Sequence, residues 1–572
     1  MTSNIGEARE PIMEQRPGGE TSRRNFLGLV GLGAAVAASG GLLGACSKAP
    51  TSQGGSQQLD KFSALLPTRK ELSLSLPPPD IKGVPPVADA YTTFPANLID
   101  AITEKPGAGG QQVTAMTPQW GPPPPGIPGN AYLEAVNAEL GTPINFTIAD
   151  GNTYADKLNA MLGARDVPDL LCIPSWEYGK IPRFSEAVKA LFEDLTPYLK
   201  GDAAAAYPML ASYPTAAWRE SIWNDALYAV PNDTSLAIGW MLFARKDLLD
   251  KAGQKMPTNL DELLAAAKAM TKPDAKVWAF NDIFPMIQML HKTPGSKGGW
   301  RLRSDKTPEF KYETQEYRQA LEVMAQIYKD GLVHPDIVAS KGADSKALFA
   351  PGGQIIFIQD GPGMMPGAQS QHQKVVKDLH IAPVYNFSAT GGSPLVHGDE
   401  VPISFTFIKK GLGEARVKEL LRLINWCSAP FGTQEYNLRE NGVVGKHHTM
   451  TPTGPVKTDL GFKEIANQYF FVSGRRPVYQ PVGDVSWYHQ EYMQYFNAMA
   501  PHIEVDPWDG IKLEMPATYK ANQQPFEDKF TDVVRGRRPL SDVDSIVAEW
   551  KAQGGEEGRA LLVKALQDAG RA

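Results

Sequence analysis

Val113-Thr114-Ala115-Met116, Ile144-Asn145-Phe146-Thr147-Ile148 and Asp169-Leu170-Leu171-Cys172-Ile173 decide the fold class. Each reads as a strand, by alternation in the second and by an almost wholly apolar run in the third. Between the first two lies Tyr132–Leu140, whose apolar spacing predicts an amphipathic helix. Between the last two lies Tyr154–Leu162, a helix stopped at Gly163. Strand, helix, strand, helix, strand implies right-handed crossovers and a parallel sheet, hence an α/β layer fold.

Outward from this unit the alternation continues. Ile238–Ala244 reads as a strand, followed by a helix from Leu260 to Met270 that Thr258 or Asn259 caps. Tyr317–Lys329 is helical and ends before Gly331. A glycine turn at Gly352-Gly353 then leads into the buried strand Ile355–Ile358. Ile403–Ile408 is a strand and Glu414–Trp426 a helix, with aromatic-rich Trp487–Phe496 and a last helix near Val543–Trp550 beyond.

The chain has 572 residues, too many for one hydrophobic core, and 42% hydrophobic content, which is ordinary for a folded protein. A net charge of −6 argues against a nucleic-acid partner, because phosphate binding needs a basic face. Two of the three cysteines, Cys172 and Cys427, sit in apolar surroundings and read as buried thiols, although an oxidising exterior would also let them pair.

The first 45 residues are a leader. Ser22-Arg23-Arg24-Asn25-Phe26-Leu27 resembles a twin-arginine export signal, and no charge follows until Lys48. Leu43-Gly44-Ala45-Cys46 resembles a bacterial lipobox, in which the peptide is cut before the cysteine and the thiol is acylated, palmitate being the expected fatty acid. The alternative is an uncleaved anchor helix ending at a chance cysteine. Residues 46–110, rich in Pro, Ser and Gly, read as a flexible tether, the alternative for its later part being that it packs on the body.

Several motifs then occur in one order: Cys46, Gly253-Gln254-Lys255-Met256-Pro257-Thr258-Asn259-Leu260-Asp261-Glu262-Leu263, the turn and strand at Leu348–Phe357, and Gly536-Arg537-Arg538-Pro539-Leu540 with Trp550. Gly445-Lys446-His447-His448-Thr449 matches a further segment in part. In this the chain resembles the extracellular carbohydrate-binding lipoproteins of ABC importers. The resemblance implies a two-lobe periplasmic-binding-protein-like α/β fold (type II), with hinge crossovers, after the signal and tether. It places lobe one at 111–233 and 381–430, and lobe two at 234–380 and 431–572. The implied function is non-enzymatic. A carbohydrate, an oligosaccharide given the chain length, is captured between the lobes and delivered to the permease subunits, with a lipid anchor in the membrane. A monomer is expected, without cofactor or catalytic residues.

Such a ligand needs aromatic faces for the C–H side of a sugar ring and polar groups for its hydroxyl rim. Trp120 follows the first strand, and Trp176 and Tyr178 follow the third, so all three belong at the ligand crevice if the sheet is parallel. Asn232 and Asp233 sit at the first crossover, where turn chemistry alone also accounts for them. Asp360 follows the strand after Gly353 as a hydroxyl acceptor. Trp487 and Tyr488 either stack from lobe two or pack helices together. Trp300, beside Arg301 and Arg303, is a further loop candidate, and His397, Asp399 and Glu400 precede a strand at the rim. Two rivals stay open: an exported glycan-active hydrolase, for which no Gly-x-Ser-x-Gly, His-Glu-x-x-His or dinucleotide glycine fingerprint is present, and a peptide-binding receptor.

Overall fold

The three apolar runs form parallel strands β1 (Val113–Gln119), β2 (Ile144–Asp150) and β3 (Leu170–Pro174). The computed structural model describes residues 62–108, 111–120, 122–232, 238–339, 345–398, 402–475, 487–509, 511 and 513–571. Arg23, Arg24, Cys46, Asp233, Asp399 and Glu400 lie outside the described residues. The helix Ala131–Leu140 between β1 and β2 starts at Asn130, whose side chain accepts from the Leu133 N–H at 2.9 Å. It ends at Gly141 with φ at 70°, a left-handed turn that suits a residue without Cβ. The second helix runs Tyr154–Ala164, through Gly163 rather than stopping there, and closes at Arg165.

Later strands complete two sheets. β4 (Ala229–Pro231) leads to β5 (Met241–Arg245), β6 (Trp278–Phe280), β7 (Ile355–Asp360), β8 (Ile381–Pro383) and β9 (Ser404–Ile408). The first sheet has the order β2-β1-β3-β9-β4 and the second β8-β5-β7-β6. In the second, β5 is wholly buried, including Arg245 at 3% exposure. That guanidinium is tolerated because Asp247 pairs with it at 2.8 Å and it donates to the carbonyls of Phe349 and Ala350, the end of a short helix. Asn259, rather than Thr258, caps the helix Leu260–Met270, its side chain accepting from the Glu262 N–H.

Register places the ends of the two sheets against the crossovers. β1 and β3 finish at Gln119 and Pro174, and β9, antiparallel, starts opposite Pro174 at Ser404. β4 leaves from the same end, with Pro231 opposite Phe405. In the second sheet Met241 opens β5 opposite Asp360, the last residue of β7, and β8 exits toward the same end. Where the two crossing segments approach β5 and β9, Ile238 bridges to Gly398. The crevice outside the carboxyl ends of β1, β3 and β7 therefore opens toward the hinge.

The lobe boundaries differ from the sequence reading. Residues Ile381, Val384 and Val396 lie in the core of the second sheet, because β8 pairs with the edge of β5. The crossing back to lobe one thus falls after Gly398. Conversely, Gln434–Asn441 and Gln468–Ser473 pack on the first lobe, where Tyr469 and Val472 are buried in its core. Lobe two resumes at the helix Tyr488–Met499. The chain also continues past Trp550 into a further helix, Glu556–Asp568, so Val543–Trp550 is not the last.

The later part of the segment read as a tether, residues 62–108, packs on the body as a strap on both lobes. Leu66 is buried in lobe one, with Thr68 N–H donating to Gly201 O at 2.9 Å. Val87 and Ala90 are buried in lobe two, where Asn497 holds the strap through Val84 N–H (2.8 Å) and Lys82 O (3.0 Å). The strap then returns to lobe one. Tyr91 packs on Phe431 with ring centroids 4.4 Å apart, and Ile99 pairs with Thr433. The Glu435 carboxylate accepts from Ala101 N–H and Ile102 N–H at 3.0 and 2.8 Å. Proline spacing hides this from a compositional reading, because the segment builds no regular ladder and lodges its few apolar side chains singly.

Cys172 and Cys427 are both free and buried, in separate clusters, and burial pushes the Cys427 thiol up to about 12. Glu435→Ala removes a buried acceptor from two N–H groups and is expected to cost about 2 kcal/mol. Limited digestion with a glutamate-specific protease checks the consequence: cleavage after Glu104 accelerates in this variant and accelerates less in Glu435→Gln. Unchanged digestion in Glu435→Ala would mean that the strap is held elsewhere.

Candidate functional site

At the crevice end of the first sheet, Trp120 continues β1 and Trp176 opens the turn after β3. Their rings lie 5.9 Å apart at 49°, and Phe471 sits 5.8 Å from Trp120 at 45°. Cys172, Ile403 and Phe470 complete this cluster, in which both tryptophans remain partly exposed. Such tilted rings present apolar faces at an angle, a surface on which a flat ring with C–H bonds can stack. The indole N–H of Trp120 has no hydrogen-bond partner among the described residues.

Two backbone devices hold this platform. Asp150 pairs with Gln119 in register, so Gly151 runs directly beneath Trp120. A Cβ at Gly151 would lie 2.2 Å from the indole, so the ring can occupy its place only because this residue is glycine. The other device is the short helix Gln468–Ser473, whose terminal carbonyls need donors in a dry place. Asn232 Nδ2 donates to Phe470 O at 2.6 Å, Ser404 Oγ to Phe471 O at 3.2 Å, and Thr406 Oγ1 to Val472 O at 2.5 Å. The Tyr213 hydroxyl donates to Ser473 O at 3.0 Å. Asn232 thus ties the first crossover to the aromatic helix. It is 1% exposed, and its Oδ1 has no partner among the described residues.

Other sequence candidates fall elsewhere. Tyr178 turns into the opposite core layer, stacking on Phe184 at 5.7 Å and meeting Trp223 and Phe405 edge-on. Glu177 is buried and paired with Lys180 at 3.0 Å; burial raises its carboxyl pKa, with Lys180 opposing. Tyr488 is fully buried in the second core, and burial raises its hydroxyl pKa. Trp487 is 44% exposed but rests on His380, ring centroids 4.9 Å apart. His380 precedes Ile381, which pairs with Arg245 at the far end of β5 from Asp360. Trp487 therefore stands away from the crevice. Trp300 is a core residue, 0% exposed, donating from its indole to the Tyr519 hydroxyl at 3.1 Å.

On lobe two the crevice end carries Asp360, half-buried, with Oδ1 accepting from Gly361 N–H at 2.8 Å and lying 3.5 Å from Lys346 Nζ. Beside it Asn281 and Gln359 exchange two hydrogen bonds, at 2.9 and 3.1 Å, that fix the turn after β6. Near the crossovers a shallow open depression is lined by Trp240, Gln288 and His397 among others. Trp240 escaped the sequence reading because it abuts a buried strand and reads as part of it. Phe471 did so because nothing local shows that its helix crosses to lobe one. Away from the hinge, Ser185 Oγ of lobe one donates to Glu514 Oε2 of lobe two at 3.0 Å.

Gly151→Ala is expected to displace Trp120 and destabilise the fold by about 1–3 kcal/mol, through overpacking alone. Near-UV circular dichroism and thermal unfolding read both effects. An unaltered tryptophan spectrum would show that Gly151 does not seat the ring.

Comparison with known proteins agrees with this architecture. Over 337 residues the chain is 25% identical to the polygalacturonan/rhamnogalacturonan-binding protein YtcQ of Bacillus subtilis, covering 56% of this chain. Over 335 residues it is 22% identical to lipoprotein LipO of the same organism, again 56% of this chain. The matches span 64% of the length of each relative. Among solved structures, the substrate-binding protein FusA of S. pneumoniae, determined with kestose, superposes with a TM-score of 0.59 at 14% identity. That superposition covers 81% of this chain and 100% of that one. Residues 125–400 match the sequence profile of the bacterial extracellular solute-binding proteins, so this stretch of the chain is similar to that family's domain.

Proposed function

We propose that the protein captures an oligosaccharide between its lobes and delivers it to the membrane subunits of an ABC importer. The observation that carries this reading is the pair of partly exposed rings, Trp120 and Trp176, backed by the buried Phe471 at the carboxyl ends of β1 and β3. A carbohydrate-binding relative at 25% identity supports the same ligand class. Sugar rings stack on the indoles, and Asp360 accepts hydrogen bonds from the facing lobe. Asn232 acts from the crossover by fixing the aromatic helix. Each contact that forms only when the lobes approach favours the closed arrangement by its own free energy.

In this reading Arg23 and Arg24 direct export, and Cys46 carries the lipid that keeps a monomeric receptor near its permease. An anchored receptor meets the permease at raised effective concentration without any tighter contact. The lipoprotein relative supports the anchor. Nothing in the mechanism transforms the ligand; its cycle is capture, closure and release.

A glycan panel tested by thermal shift examines the reading. A ligand at a hundred times its Kd should stabilise the purified protein by about 2.7 kcal/mol. Trp176→Ala should weaken that binding by about tenfold with little change in the unliganded midpoint. Hydrolysis of any glycan, or saturable binding of peptides and not sugars, contradicts the proposal.

A further inference from the structure

The depression on lobe two has a position and a chemistry of its own. Its walls include Trp240, Gln288, Met289, Gly295, Lys311 and His397. Trp240 lies two residues beyond Ile238, and His397 immediately before Gly398, and those two neighbours form the bridge between the crossing segments. Both hinge strands therefore supply a wall, and whatever occupies the depression touches the hinge itself.

The polar groups there are neutral. Gln288 is only 9% exposed, and its side-chain amide makes no hydrogen bond within the described residues, leaving one donor group and one acceptor for an occupant. His397 Nε2 lies 2.9 Å from Thr293 O, so that nitrogen carries the proton and donates, which leaves Nδ1 as an acceptor. Burial holds this imidazole at about 4, so the ring is uncharged at neutral pH.

Among the described residues that line the depression, no positive group is left for an anion. The Lys311 ammonium is 2.9 Å from Glu527, with both side chains largely buried. The Gly295 N–H, which would otherwise face an anion from the glycine-rich loop, donates to Glu504 at 2.9 Å. A carboxylate entering here would find the Lys311 ammonium already paired with Glu527 and the Gly295 N–H already taken by Glu504. A ring bearing hydroxyls would meet the half-buried Trp240, an amide that both donates and accepts, and a neutral imidazole acceptor.

We propose that this depression is the lobe-two subsite and that it takes a neutral, hydroxyl-bearing sugar unit in preference to a uronate. The unit packs on Trp240, exchanges hydrogen bonds with the Gln288 amide and donates a hydroxyl proton toward His397 Nδ1. This rests on the carbohydrate reading above and narrows its ligand class. Because the subsite is walled by both crossing segments, the same contacts couple occupancy to the hinge.

Isothermal titration of the purified protein tests the assignment. The probes are neutral gluco-, manno-, xylo- and fructo-oligosaccharides of three to five units, with oligogalacturonates and their carboxyl-reduced counterparts. A neutral oligosaccharide should saturate the protein. Trp240→Ala and Gln288→Ala should each weaken that binding by about tenfold. Trp240→Phe should recover most of the loss, which separates stacking from misfolding, while Val375→Ala, a surface change, should leave the affinity as it was. Tighter binding of oligogalacturonates than of their reduced counterparts overturns the neutral subsite and leaves the carbohydrate reading intact. Neutral-sugar binding that survives both alanine substitutions overturns the location. Binding of no glycan from either set removes the carbohydrate reading and the subsite together.

Discussion

One hydrogen bond, Asn232 Nδ2 to Phe470 O, joins three parts of the molecule that are far apart in sequence. Asn232 leaves the first sheet toward the hinge, its own N–H donating to Ser404 O on β9. Phe470 belongs to a helix that the chain reaches only after building most of lobe two. The terminal carbonyls of that helix are buried and must find donors, and the neighbouring strand and crossover supply them. As a result Phe471 is pressed beside Trp120, and the aromatic platform is fixed to the base of the hinge. Phe470 O also accepts from the Gly474 N–H at 2.6 Å, so the Asn232 amide adds a second donor that fixes the helix to the crossover.

The same economy governs how the lobes are joined. The connections leave from strand ends at the crevice, while the strap of residues 62–108 binds lobe one, lobe two and lobe one again over a separate surface. Opening the lobes must therefore move the strap or its seats as well as the hinge strands. Ser185 and Glu514 make a direct but exposed hydrogen bond between the lobes, a contact weak enough to break without a large barrier. A ligand that touches Trp120 and Trp176 on one side and Trp240 and Asp360 on the other adds the differential contacts that favour closure.

How much of this was legible in the sequence follows a physical division. Local periodicity identified β1, β2 and β3 and the helices between them, because one face of each must be buried whatever packs there. The position of Trp120 and Trp176 at the crevice end of the first sheet was legible because both follow parallel strands. Tyr178 sits two residues from Trp176, yet a short helical turn sends it to the opposite layer. Trp487, Tyr488 and Trp300 failed as site residues because aromatic content does not reveal which face another helix covers. The strap and the helix Gln468–Ser473 were illegible for a related reason, since both acquire their place only from contacts made hundreds of residues away.

Hydrogen exchange with and without a saturating oligosaccharide tests the central claim most directly. The account predicts slowed exchange on both sides of the crevice at once, at the turns after β1 and β3 and at residues 238–240 and 281–289. Saturable binding with protection confined to one lobe, or placed at the far end of the sheets near His380 and Trp487, would contradict it.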